Sequence, residues 1–125
     1  MANEIIISVL QGKVEQGKAV LKKIHSRNGG NTKNYTRNEL KRCQLLIRQV
    51  NYNNEKIVEY LREDNEKLLR KSNGLHRKVK KMIRENNRTG AKLLFNRVEE
   101  IERERQKLNI AIIAITQNGD NVLCD

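Results

Sequence analysis

The chain has 125 residues, one domain's worth, with 26 Lys and Arg against 15 Asp and Glu, a formal charge of +11 and a pI near 10.0. One Phe, three Tyr, no Trp and no Pro exclude an aromatic sandwich core and leave Ile, Leu and Val to build helix seams, so the expected class is all-α. Cys43 and Cys124 show no CxxC or Cys/His spacing, which points away from a disulfide scaffold and a zinc site. The longest apolar run is Ile110 to Ile115, far short of the roughly 18 residues of a membrane span. With no signal pattern at the N-terminus, the expectation is an intracellular protein, cytoplasmic or nuclear, with no membrane insertion.

The first predicted helix covers about 3–27, with Ile7, Leu10, Val14, Gly17, Leu21 and Ile24 on one stripe. It ends at Asn28-Gly29, residues that tolerate the left-handed conformation found after helix C-termini. A polar loop from Ser26 to Tyr35 follows. Thr36 and Glu39 then stand at capping-box spacing and open a second helix, predicted over 37–72. Its seam is Leu40, Cys43, Ile47, Val50, Asn54, Ile57, Leu61, Asp64 and Leu68.

Asn73-Gly74 is the second of three such pairs and is the predicted turn of a long helical hairpin. The third helix, over 75–117, carries Ala91, Leu94, Val98, Ile101, Arg105, Leu108, Ile112 and Ile115 in the same rhythm, with a kink expected at Asn86 to Gly90. Folding at Gly74 pairs Leu40 with Leu108, Ile47 with Ile101, Val50 with Val98 and Ile57 with Ala91. The first helix pairs Leu21 with Cys43, Gly17 with Ile47, Val14 with Val50 and Ile7 with Ile57. Arg105, in the seam, is expected to snorkel its head to solvent. The expectation is a single domain, residues 1–125: a three-helix antiparallel coiled-coil-like bundle with a flexible tail at 118–125.

On this register the first helix is too short to cover the hairpin, and residues 64–89 project as a two-helix tip by roughly 18 Å. The tip holds Lys67, Arg70, Lys71, Arg77, Lys78, Lys80, Lys81, Arg84 and Arg88 against three carboxylates, a net +6 of the total +11. Cations on successive turns of a rod can follow a phosphate backbone, each contact releasing counterions without reading sequence. A second basic group, Lys18, Lys22, Lys23, Arg27, Lys33, Arg37, Lys41, Arg42 and Arg48, lies toward the other end of the bundle. Scarce aromatics disfavour single strands, which stack bases on such side chains, so the expected ligand is duplex RNA or DNA.

Residues 77–92 followed by Leu94, Ile101, Leu108 and Ile115 resemble the layout of basic-leucine-zipper proteins. The resemblance fails downstream: counting from Asn87, Leu94 and Phe95 stand where that family has a small residue and an Arg, and Gly90 interrupts the helix it needs.

Ile5, Val9, Leu45, Ile110 and Ile113 fall outside the seam and are the expected oligomer interface, covered by a second copy in a homodimer or higher homo-oligomer, or by a hetero-coiled-coil partner. His25 and His76 sit in no metal or acid/base spacing and there is no Gly-rich phosphate loop, so no catalytic residue, metal or cofactor is expected. Two function classes follow: a non-catalytic duplex nucleic-acid binder, and a coiled-coil structural or adaptor subunit of a larger assembly.

Overall fold

The computed structural model describes residues 3–119, and all regular structure among them is helical. The elements are α1 (Glu4–Arg27), a single 3-10 turn (Thr32–Asn34), α2 (Arg37–Arg84) and α3 (Arg88–Gly119). Asn118 and Gly119, expected in the tail, belong to α3; residues 120–125, with Cys124, lie outside the described residues. The chain divides into two compact units, one of residues 3–60 with 114–119, the other of Leu61–Ile113.

In the first unit, α1 ends as its sequence demands. The Gly30 N–H donates to the His25 carbonyl at 3.0 Å and the Gly29 N–H to that of Ser26 at 3.1 Å, with Gly29 and Gly30 at φ of +65° and +74°. This double closure satisfies carbonyls that the last helical turn leaves without partners. The reciprocal capping box at the start of α2 is formed: the Glu39 N–H donates to Thr36 Oγ1 at 3.1 Å and the Thr36 N–H to Glu39 Oε1 at 2.9 Å. Asn28 Nδ2 donates to the same carboxylate at 3.2 Å, tying the end of α1 to the start of α2.

The expected α1 stripe is buried or half-buried throughout, and Leu21, Ile24 and Cys43 form one core cluster with Val20, Tyr35, Leu46 and Ile47 against it. Leu21 shares this cluster with its expected partner Cys43, and the expected pairing fails at Gly17. A Cβ on Gly17 would stand 2.7 Å from Val50 Cγ2, so Gly17 lies on Val50 rather than Ile47, about one turn along, and lets the two helices approach closely. Leu40, expected in the seam, is exposed.

The second unit corrects the hairpin. Asn73-Gly74 is no turn: α2 runs through it as helix, and Gly74 has φ below zero and open space where a Cβ would lie. The reason is the seam. Leu61, Asp64, Leu68, Ser72, Leu75, Val79 and Met82 are all buried or half-buried at spacings of three and four, so burial continues past the pair and outweighs a propensity loss of about 1 kcal/mol for one Gly.

The chain turns instead at Glu85–Asn87, where a kink was expected. Asn86 is the one non-glycine residue with positive φ among the described residues, at +59°. Its N–H donates to the Ile83 carbonyl at 3.1 Å and the Asn87 N–H to that of Met82 at 2.8 Å, the same double closure that ends α1. Asn87 then caps α3, its Oδ1 accepting from the Gly90 N–H at 3.0 Å. With the turn here, Ser72 meets Glu102 and Asn65 meets Asn109. The expected partners Leu40 with Leu108, Ile47 with Ile101, Val50 with Val98 and Ile57 with Ala91 are split between the two units instead.

Candidate nucleic-acid interface

Moving the turn redistributes the charge of the predicted tip. Lys67, Arg70, Lys71, Arg77, Lys78, Lys80, Lys81 and Arg84 all lie on α2, and Arg88 opens α3. They are not split between two facing arms, as the expected turn at Gly74 required. All nine are exposed. Two are already compensated within α2, Lys67 by Glu63 at 3.3 Å and Arg70 by Glu66 at 3.8 Å, exposed one-turn pairs that contribute little to stability.

Toward the turn the compensation disappears. Residues 75–97 hold eight Lys and Arg against Glu85 alone. Two of the eight, Lys92 and Arg97, lie beyond residue 89, the predicted end of the tip. Arg97 pairs with Glu100 at 3.1 Å, whereas Arg77, Lys78, Lys80, Lys81, Arg84 and Arg88 have no carboxylate within 4.0 Å among the described residues. The seam at Ser72, Leu75, Val79 and Met82 fixes the orientation of this part of α2. At 100° per residue Arg70, Arg77, Lys81 and Arg84 fall on the side away from the seam, with Lys78 and Lys80 on its flanks. The face is a row of exposed cations along one side of a helix, suited to a linear array of anions.

Behind the row the hairpin is held by a polar ladder that sequence reasoning missed apart from Arg105. Ser72, 1% exposed, donates from Oγ to Glu102 Oε1 at 3.0 Å. Arg105 Nη1 donates to both oxygens of the same carboxylate at 3.0 Å, Arg105 Nε donates to Asn65 Oδ1 at 2.9 Å, and Asn65 Nδ2 donates to Asn109 Oδ1 at 3.0 Å. Arg105 therefore does not snorkel freely: its guanidinium is held within the hairpin through Nε and Nη1. Burial pushes the Glu102 carboxyl up, but the hydrogen bonds from Arg105 and Ser72 outweigh it and hold the group below the usual carboxylate value. A seam position filled by Ser looks like a break in an apolar pattern; its partner Glu at the right distance across the hairpin was the available signal.

Beside the ladder, an open groove of about 470 Å³ runs along the hairpin, lined by His76, Phe95, Val98, Glu99, Glu102 and Gln106 among others. In the first unit the second basic group, from Lys18 to Arg48, lies on α1, the loop and the first part of α2, exposed except for half-buried Lys18. Within it Arg27 is 3.7 Å from Glu39. The expected interface residues Ile5, Val9, Leu45, Ile110 and Ile113 are all exposed. Spacing puts Ile5 with Val9 on one face of α1, Leu45 with Tyr52 on one face of α2 and Ile110 with Ile113 on one face of α3.

Among the described residues there is no group of three or more His, Cys, Asp or Glu side chains placed to hold a metal ion, and no helix long and apolar enough to cross a membrane. Compared with protein-family models, with curated proteins and with solved structures, the chain matches none of them.

Proposed function

We propose that the chain is a non-catalytic nucleic-acid-binding protein that grips the phosphate backbone of a duplex, RNA or DNA, without strong sequence specificity. The observation that carries this reading is the set of six cations from Arg77 to Arg88 with no carboxylate in reach, at the turn end of the hairpin. Like charges so close repel one another and contribute no stability of their own, while six phosphates would neutralise them and release counterions. In this reading the helices form an antiparallel coiled-coil-like scaffold for the basic face, the protein works as a homo-oligomer inside the cell, and no cofactor takes part.

The test is a titration against duplex RNA, duplex DNA and polyglutamate over a range of salt. If about six phosphates are engaged, log affinity falls with log salt at a slope of roughly −5, and a duplex binds tighter than polyglutamate. The variant R77Q/K78Q/K81Q/R84Q then binds the duplex far more weakly and reduces the slope by roughly 4. Equal, weak binding to all three polyanions defeats the reading.

A second reading has its own observation. Ile110 and Ile113 are 67% and 54% exposed on one face of α3, an apolar pair fit for another coiled coil, which favours a structural or adaptor subunit of a larger assembly. Ile110→Asp with Ile113→Asp then dissolves the native oligomer in sedimentation; an unchanged oligomer counts against it.

A further inference from the structure

The hairpin carries a second surface, on a different side of α2 from Arg77, Lys81 and Arg84. Leu69, His76 and Ile83 follow one another at seven-residue steps on α2, as do Arg88, Phe95 and Glu102 on α3, so each set forms a column along its helix. His76, Phe95 and Glu102 line the same groove, with buried Val98 at its floor; Leu69 and Ile83 continue the α2 column, and Arg88 the α3 column, beyond the residues that line it. Leu69, Ile83 and Phe95 are 38%, 57% and 45% exposed. A phosphate backbone has no apolar surface to place on them.

The charges around the groove are uneven. Its acidic members are neutralised inside the hairpin, Glu99 by Arg103 at 3.8 Å and Glu102 by Arg105 at 3.0 Å. Toward the turn, Lys80 lies one helical turn from His76 and Lys92 one turn from Phe95, and with Arg88 they have no carboxylate within 4.0 Å among the described residues. The unsatisfied charge is therefore positive and lies beyond the groove's lining, toward the turn.

We infer that this groove docks an acidic amphipathic helix of a partner protein, its apolar face on Leu69, Ile83 and Phe95 and its carboxylates over Lys80, Arg88 and Lys92. The columns run from Leu69 to Ile83, about 21 Å, the length of a four-turn helix. An α-helix laid with i, i+3, i+4 and i+7 anchors into an apolar groove is a recurrent mode of recognition. The first unit accomplishes the same packing within the chain, where α1 buries Val14, Leu21 and Ile24. Charge disfavours a second copy as the occupant: the chain is +11, and α1 bears five Lys and Arg against two Glu.

The test uses the full chain and a labelled synthetic helix with Leu at heptad a and d positions and Glu at e and g, beside its scrambled isomer and a Lys-for-Glu version, read by fluorescence anisotropy. The Leu/Glu helix binds at least about tenfold tighter than either control, and I83Q/F95Q loses about tenfold or more while its circular-dichroism melt stays that of the parent. I83Q/F95Q keeps its affinity for duplex RNA and DNA, and R77Q/K78Q/K81Q/R84Q keeps its affinity for the peptide within about twofold, so the groove and the phosphate-binding face stand or fall separately. Equal affinity for the scrambled isomer, or an I83Q/F95Q variant that binds the peptide like the parent, overturns the inference. So does sedimentation showing that the free chain dimerises and that I83Q/F95Q abolishes the dimer, which assigns the groove to a second copy.

Discussion

The two units bury different chemistry along helices of the same kind. In the first, the most enclosed side chains are Ile24, Val50 and Ile57, each 1% exposed; in the second, Ser72 is as enclosed as any of these and Asp64 is 3% exposed. Apolar packing is strong but weakly directional, so the first unit gains stability from fit. A hydrogen-bonded ladder contributes less net energy but tolerates no slippage, since shifting one arm by a turn parts Ser72 from Glu102 and Asn65 from Arg105 and Asn109, leaving enclosed polar groups without their partners. The hairpin thereby holds its register with a thin apolar seam, which leaves its outer surface free to be almost wholly cationic near the turn.

The largest test of that contrast removes apolar volume. Ile57→Ala costs about 3–5 kcal/mol and lowers the melting temperature of the whole chain, because the cavity it leaves is fully enclosed. In the ladder, Glu102→Ala costs about 1–3 kcal/mol, since Ser72 loses its acceptor and Arg105 its counter-charge. Replacing Ser72 with Ala and both Glu102 and Arg105 with Leu costs less than Glu102→Ala alone, as no charge is left without compensation. Chemical denaturation of the set checks the order, and a triple variant less stable than Glu102→Ala breaks the comparison.

Two glycines sharpen it. Gly17→Ala destabilises by about 1–3 kcal/mol because its methyl meets the stiff, buried Val50, whereas Gly74→Ala stabilises by about 0.5–1 kcal/mol in an open helical position. A destabilised Gly74→Ala would restore the turn at Asn73-Gly74.

The smallest effect is acid sensitivity. Glu39 is held below the usual carboxylate value of 4.5 by its hydrogen bonds from Thr36 and Asn28. Glu102 is held below it because the bonds from Arg105 and Ser72 outweigh burial. A depressed pKa means stability present in full above the unfolded value and lost as pH falls through the folded one. Amide protection around Ser72, taken relative to the intrinsic exchange rate at each pH, therefore falls below about pH 4.5, and Glu102→Gln removes most of that dependence.

The helical class, the stripe of α1, both ends of the loop between α1 and α2, and the clustering of basic residues are legible because each is local: a cap, a spacing, a composition. The hairpin turn is not, because two local signals compete and a non-local one decides. Asn73-Gly74 has the better turn chemistry, but residues beyond it keep the seam, and Ser72 hides that continuity by being polar. Asn86-Asn87 is the weaker punctuator and wins because Ala91, Leu94 and Val98 start a new stripe just after it. The nine predicted basic residues keep their exposure under either turn, whereas the groove depends on which arm residues face each other and emerges only with the true register.

The three-residue turn at Glu85–Asn87 separates what evolution can vary from what it cannot. An insertion within either arm rotates every following side chain by 100° per residue and uncouples Ser72 from Glu102. Residues added at Asn86 disturb no rung, and matched additions of seven to both arms lengthen the hairpin with its stripes intact. The reach of the basic end can thus be drawn out or shortened over generations, while the rest of the molecule stays as it is.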